Sequence, residues 1–169
     1  MITDDKWVIE CTTNPADFAA GASMMVTTAP WITLQLDYHQ CLSAFEGLCK
    51  EVYVLKIENE IAGFVILQVC GSFKGYIQTI CISEKYRGKG LGKKLLYFCE
   101  ERIIKISQNI FICVSSFNNG AIKLYNEMGF KLVGRLDNFV KDGFTELLLR
   151  KTFGPVIPSL NSTSQNNPS

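Results

Sequence analysis

Long apolar runs are missing from this sequence: no stretch approaches the ~18 consecutive apolar residues that a membrane-spanning helix needs. An excess of one charge is missing too. The 17 basic and 16 acidic side chains leave a net charge of +1, without the surplus of a general nucleic-acid binder. Histidine occurs once, at His39, and the seven cysteines include no Cys-x-x-Cys pair. The clustered ligands of a zinc site are therefore absent, and no metal is expected. Most cysteines fall within apolar strand or helix patterns and read as buried free thiols of a reducing cytoplasm. Met1 to Lys6 lack the layout of a secretory leader, in keeping with a cytoplasmic expectation. No internal repeat is visible.

What is present suits one α/β domain. The chain has 169 residues, 47% of them hydrophobic, enough for one sizeable core. Trp7 to Thr12 alternates apolar and polar residues and predicts a strand. Asn14 and Pro15 read as the cap and first residue of a helix, and a second helix is predicted over Leu34–Leu48. Strands are predicted over Val52–Glu58 and Ile61–Cys70, joined by a tight turn, and over Tyr76–Ile82. A helix from Leu91 to Ile106 places Leu91, Leu95, Phe98, Cys99 and Ile103 on one face. Asn109–Val114 is an almost wholly apolar strand, as in a sheet covered on both faces. A helix over Asn118–Met128 is followed by strands over Phe130–Leu136 and Phe144–Thr152, meeting at an Asp142-Gly143 turn signal. The domain runs over residues 1–153. Residues 154–169 carry no charge, are rich in Pro, Ser and Asn, and are expected to be a disordered tail.

Between the Tyr76–Ile82 strand and the helix at Leu91 lies Arg87-Gly88-Lys89-Gly90-Leu91-Gly92. Alternate glycines let backbone approach a ligand closely. The first N–H groups of the helix lack intrahelical partners and carry the positive end of its dipole, so the turn is built for an anion such as a pyrophosphate. Two phosphate loops fail on spacing. A Walker A loop needs Ser or Thr after Gly-Lys, but Lys94 follows Gly92-Lys93. A dinucleotide fingerprint needs a third glycine where Lys93 or Leu95 stands.

The Arg-x-x-Gly-x-Gly pattern at Arg87, Gly90 and Gly92 resembles the acyl-CoA-binding motif of the GCN5-related N-acetyltransferase (GNAT) superfamily. The segment Asn118 to Phe130, an Asn-x-x-Ala-x-x-Leu-Tyr helix ending in Gly-Phe, is similar to a second signature of that family. The resemblance implies a mixed central sheet of about six to seven strands, splayed at the cofactor site and flanked by about four helices. It also implies acetyl-CoA as donor and transfer of acetyl to a primary amine, of a small molecule or a protein, by direct attack on the thioester. Arg87, Gly88, Lys89, Gly90, Leu91 and Gly92 would then hold the pyrophosphate, with Lys93 close by. Ile80, Cys81 and Ile82 would pair their backbone with the pantetheine arm. Asn118 would cap its helix and contact the same arm, and Tyr125 would be the general acid that protonates the leaving thiolate.

No general base is assigned. The Tyr76–Ile82 strand has no carboxylate, which leaves bulk water through a channel, a water held by Gln78 or Thr79, or a group of the N-terminal helices such as His39, Glu46 or Asp37 as candidates. The acceptor site is expected between the N-terminal helices and the last hairpin. There the Ser23–Trp31 loop forms one wall or merely caps the core, and Asp137, Asn138, Asp142 and Glu146 are polar candidates. A non-catalytic acyl-CoA-binding regulatory module is the alternative function. The C-terminal edge strands offer a surface for a homodimer.

Overall fold

The computed structural model describes residues 2–4 and 7–159. Strands β1 (Ile2–Asp4), β2 (Trp7–Cys11), β3 (Lys50–Ile57), β4 (Glu60–Gln68), β5 (Tyr76–Ile82), β6 (Asn109–Ser115), β7 (Lys131–Asp137) and β8 (Thr145–Thr152) form one sheet in the order β1-β2-β3-β4-β5-β6-β8-β7. Helices α1 (Pro15–Val26), α2 (Tyr38–Ser43), α3 (Leu91–Ile103) and α4 (Asn119–Glu127) flank it. All seven expected strands are present, and β1 is an eighth at the edge. Neighbouring strands are antiparallel except β5 and β6.

The sheet is covered on both faces, and β4 shows why its sequence does not alternate. Val65 and Leu67 pack in the core with Leu95, Leu96, Cys99 and Ile103 of α3. Phe64 and Ile66 pack in a second core with Ala22 and Met25 of α1. Every residue from Ala62 to Leu67 is therefore buried, the pattern of a strand with no wet face. The β3–β4 hairpin turns at Glu58 and Asn59, whose φ values of 50° and 68° suit the tight turn expected there.

Two helix expectations need correction. The second helix spans only Tyr38–Ser43 rather than Leu34–Leu48. Asp37 starts it with a capping box: its Oδ1 accepts from the Gln40 N–H at 2.8 Å, and Gln40 Oε1 accepts from the Asp37 N–H at 2.9 Å. Upstream, Gln35 has φ 55°, which a helix cannot use, and downstream Gly47 has φ 114°. Secondly, Ser23–Val26 is not loop but the last turn of α1, so the loop proper begins at Thr27.

The cysteine expectation is corrected as well. Cys49 and Cys70 are disulfide-bonded, with Cα atoms 5.5 Å apart. They flank the open end of the β3–β4 hairpin, where the Val69 N–H also donates to the Cys49 carbonyl at 2.8 Å. Both lie at the surface, Cys11 is exposed, and Cys41, Cys81 and Cys99 are buried. Spacing alone could not pair residues 21 apart; only the hairpin register brings them together. We expect the Cys49→Ser/Cys70→Ser double variant to lose about 2 kcal/mol in urea unfolding. That is the lower end of the usual effect, because a residual hairpin in the denatured chain already holds the ends near each other.

No helix among the described residues is long and apolar enough to cross a membrane. Of the expected tail, Gly154–Ser159 is largely exposed and outside any helix or strand. The remainder of that expectation, 160–169, lies outside the described residues, as do Met1, Asp5 and Lys6.

Candidate active site

The site begins where two strands part. β5 and β6 pair only at Tyr76–Phe111 and Ile77–Ile112. Beyond these rungs neither strand pairs with the other, so the β6-facing edge of β5 from Gln78 to Ile82 keeps its backbone groups for another partner. β6 instead pairs along its whole length with β8, Asn109 to Thr152 through Ser115 to Glu146. This is the splay implied by the resemblance.

Two cavities lie along the opening. The first, about 570 Å³, is lined by Ile80, Cys81 and Ile82 of β5, by Arg87, Gly88, Gly90, Leu91, Gly92 and Lys93, and by Asn118 and Tyr125. The turn takes the conformation that its glycines permit: Gly88 has φ 73° and Gly90, the N-cap of α3, has φ 77°. A Cβ at either would meet nothing within 4 Å, so glycine serves backbone conformation there and not local packing. The Arg87 Nε donates to the Ile82 carbonyl at 3.2 Å and ties the turn to the end of β5. Lys93 pairs with Glu127 at 3.1 Å across two half-exposed side chains. Lys89, expected among the binding residues, does not line the cavity; its Nζ lies over the Tyr86 ring at 5.2 Å.

The second cavity, about 470 Å³, lies between Met25, Leu34 and Leu36 on one side and Phe139, Val140 and Glu146 on the other, with β5 and β6 forming its floor. The two cavities meet at Pro30, Trp31, Ile80, Asn118 and Tyr125, which line both. Tyr125 therefore stands at a junction between the glycine-turn slot and a second chamber of mixed lining. Asn118 is held there by its capping role, its Oδ1 accepting from the Ala121 N–H at 3.3 Å.

Tyr125 is buried, and its ring lies 5.9 Å from that of Phe130. Burial pushes its phenol well above the usual tyrosine range, with Cys99 and Cys81 adding to the effect. The proton is therefore held throughout the physiological range. No hydrogen bond from this hydroxyl to another described residue is present, so the donor is available to a ligand.

The base candidates separate on geometry. Asp37 is committed to the cap of α2. His39 and Glu46 are exposed and line neither cavity. Gln78 Nε2 donates to the Ala44 carbonyl at 2.9 Å. Of the polar candidates on the last hairpin, Asp137, Asn138 and Asp142 are exposed, whereas Glu146 is only 4% exposed and lines the second cavity. Ser115 Oγ donates to Glu146 Oε1 at 2.6 Å. Burial raises the Glu146 carboxyl above the ordinary range, and the Ser115 bond offsets this only in part. In the sequence, its only signal is one acid ahead of Leu147-Leu148-Leu149. The rung opposite Ser115 turns that acid inward.

Comparison with known proteins fits this geometry. The sequence pattern described as "Acetyltransferase (GNAT) family" matches residues 21–130. A spermine/spermidine N(1)-acetyltransferase of Bacillus subtilis is 30% identical over 61% of this chain and 77% of its own length. An N-alpha-acetyltransferase of Sulfurisphaera tokodaii is 26% identical over 54% of this chain, and the match spans 62% of that protein. Among solved structures, the ribosomal-protein-S18-alanine N-acetyltransferase of Escherichia coli superposes with a TM-score of 0.72 at 18% identity, covering 92% of this chain and 97% of its own. A GNAT family acetyltransferase of Elizabethkingia anophelis with acetyl-CoA bound gives 0.66 at 23% identity, covering 88% and 99%.

Proposed function

Because the chain belongs to the GNAT family of acetyltransferases, we propose that it transfers acetyl from acetyl-CoA to a primary amine, with Tyr125 as the acid. The observation that carries this reading is the junction: one buried phenol lines both the glycine-turn slot and the second chamber. The fit to the donor rests on three features of the slot. The N–H groups at the start of α3, beyond Gly88 and Gly90, suit the pyrophosphate, with Arg87 and Lys93 supplying positive charge. The unpaired edge of β5 at Gln78–Ile82 offers strand-like hydrogen bonding to the amides of the pantetheine arm. The apolar walls at Ile80 and Leu124 suit its methylenes.

The donor supplies an activated acyl group; the chain supplies position and a proton. Binding along the β5 edge would bring the thioester to Tyr125, whose phenol donates to the sulfur as negative charge develops there. Trp31 and Pro30 wall the junction and keep water from competing with the amine. By their names, two of the relatives above act on spermine or spermidine and on an alanine of ribosomal protein S18, and the fold they share does not choose between such acceptors.

The test is thermal unfolding with acetyl-CoA, followed by acetyl transfer to a panel of amines read by product mass. A ligand at ~100 times its Kd stabilises by about 2.7 kcal/mol, so a clear upward shift of Tm is expected. No shift at millimolar acetyl-CoA would remove the donor assignment. A shift without transfer to any amine would leave the non-catalytic binding module. For the turn itself, Gly90→Val should weaken acetyl-CoA binding while leaving the fold intact. A β-branched side chain is costly at φ 77°, about 1–2 kcal/mol of local strain, and falls where the backbone must meet the pyrophosphate. Titration calorimetry would read the change.

A further inference from the structure

We infer that the second cavity is the acceptor site for a compact primary amine carried on an apolar, uncharged body, and that Glu146 receives its ammonium and removes the proton. This rests on the acetyltransferase reading above. The first observation is the charge of the lining. Among the described residues around this cavity Glu146 is the one charged side chain, and no Lys or Arg joins it. An acceptor with a carboxylate of its own would have no cation to meet. A polyamine would find no second carboxylate here for its second ammonium, and an unpaired desolvated charge is disfavoured.

The second observation is the roof. The turn joining β7 and β8 reaches over the chamber, where Phe139 and Val140 line it, and Lys141 Nζ donates to the Leu34 carbonyl at 2.6 Å. That bond joins the hairpin to the segment after α1. It engages the Lys141 ammonium, which does not line the chamber. A chamber of about 470 Å³ that mixes apolar side chains with uncharged polar ones and holds a single buried carboxylate suits one small molecule with one basic group.

The third observation is the setting of the carboxylate. Glu146 sits on β8 opposite Ser115, the last residue of β6, and one of its oxygens takes the Ser115 hydroxyl at 2.6 Å. Its other oxygen has no hydrogen bond to a described residue. Tyr76 of β5, Cys113 of β6 and Tyr125 of α4 are the further titratable groups lining the chamber, and burial holds all three protonated at neutral pH. On β7 the nearby acid Asp137 is exposed and accepts from Thr145 Oγ1 at 2.6 Å. Glu146 is thus the one carboxyl among the described residues lining the chamber, and burial raises it above the ordinary carboxylate range.

The proton balance is complete with the groups present. The ammonium gives one proton to Glu146, which later releases it to solvent. The nitrogen lone pair forms the new C–N bond as the C–S bond breaks, and the sulfur takes the proton of Tyr125. The second nitrogen proton, lost as the amide forms, restores Tyr125. The net reaction converts ammonium and thioester into amide, thiol and one released proton.

The experiment uses the full chain with acetyl-CoA and four acceptors: 2-phenylethylamine, spermidine, aspartate and a peptide with a free N-terminal methionine, each product identified by mass. Phenylethylamine should be acetylated with a kcat/KM at least ~10-fold above the others. Glu146→Gln should lower its kcat by about 10²-fold, abolish the acid limb of the pH–rate profile and leave the acetyl-CoA shift of Tm in place. Ser115→Ala, which removes the hydrogen bond that favours the ionised carboxyl, should move that acid limb to higher pH. Preference for spermidine, aspartate or the peptide would overturn the acceptor class while leaving acetyl transfer intact. A Gln variant with wild-type turnover and pH profile would overturn the role of Glu146. Failure of every amine would sink both this inference and the transfer reading beneath it.

Discussion

Tyr125→Phe should lower kcat by about 10²-fold or more, the usual scale for a general acid, while Tm and acetyl-CoA binding stay near wild type. The substitution deletes one oxygen and keeps the ring against Phe130. Because that oxygen has no hydrogen-bond partner among the described residues, its loss leaves no orphaned group in the core. The expected loss is therefore in the chemical step. Two further readouts separate acid catalysis from packing. A thioester donor with a more acidic thiol needs less help in leaving, so the variant's deficit should shrink with it. The alkaline limb of the wild-type profile should not report Tyr125 below about pH 10, because burial raises that phenol above its ordinary range. An unchanged kcat would take Tyr125 out of the mechanism.

The proposed donor side is legible in the sequence because its features are local. Arg87 to Gly92 is a single turn, and Asn118 to Tyr125 is a single helix with its own cap, so spacing along the chain already states the geometry. The acceptor side is not local. Glu146 matters because the β6–β8 register sets it opposite Ser115 and points it inward, and no period within Thr145–Thr152 announces that. The disulfide follows the same logic, since Cys49 and Cys70 meet only across the β3–β4 hairpin. The helix predicted over Leu34–Leu48 is shorter in the structure because Leu34 and Leu36 carry an apolar pattern that serves a chamber wall and not a helix face. The eighth strand escaped because Ile2–Asp4 is three residues long and pairs only with β2, too short for alternation to register.

Phe130→Ala should be the most destabilising of the single substitutions considered, by about 3–5 kcal/mol. Phe130 is fully buried, just past Gly129, whose φ of 90° lets the chain leave α4 and enter β7. Its ring packs in the same core as Leu95, Ile110 and Leu149, so truncation opens a cavity in that core. For a domain of this length each kcal/mol moves Tm by roughly 2–4 °C, and the melting temperature should fall on the order of 10 °C. The effect should also reach the chemistry. The Phe130 N–H donates to the Tyr125 carbonyl at 3.0 Å, and the two rings touch, so a vacated ring site frees the phenol to swing from the junction. Calorimetry gives the first effect. Turnover measured well below the lowered Tm gives the second, and it should fall with acetyl-CoA binding retained, since Phe130 does not line the glycine-turn slot. Phe130→Leu, which refills most of the volume, should recover much of the stability but less of the rate, because Leu offers Tyr125 no ring edge to pack against. Equal recovery of both would assign Phe130 to the core alone.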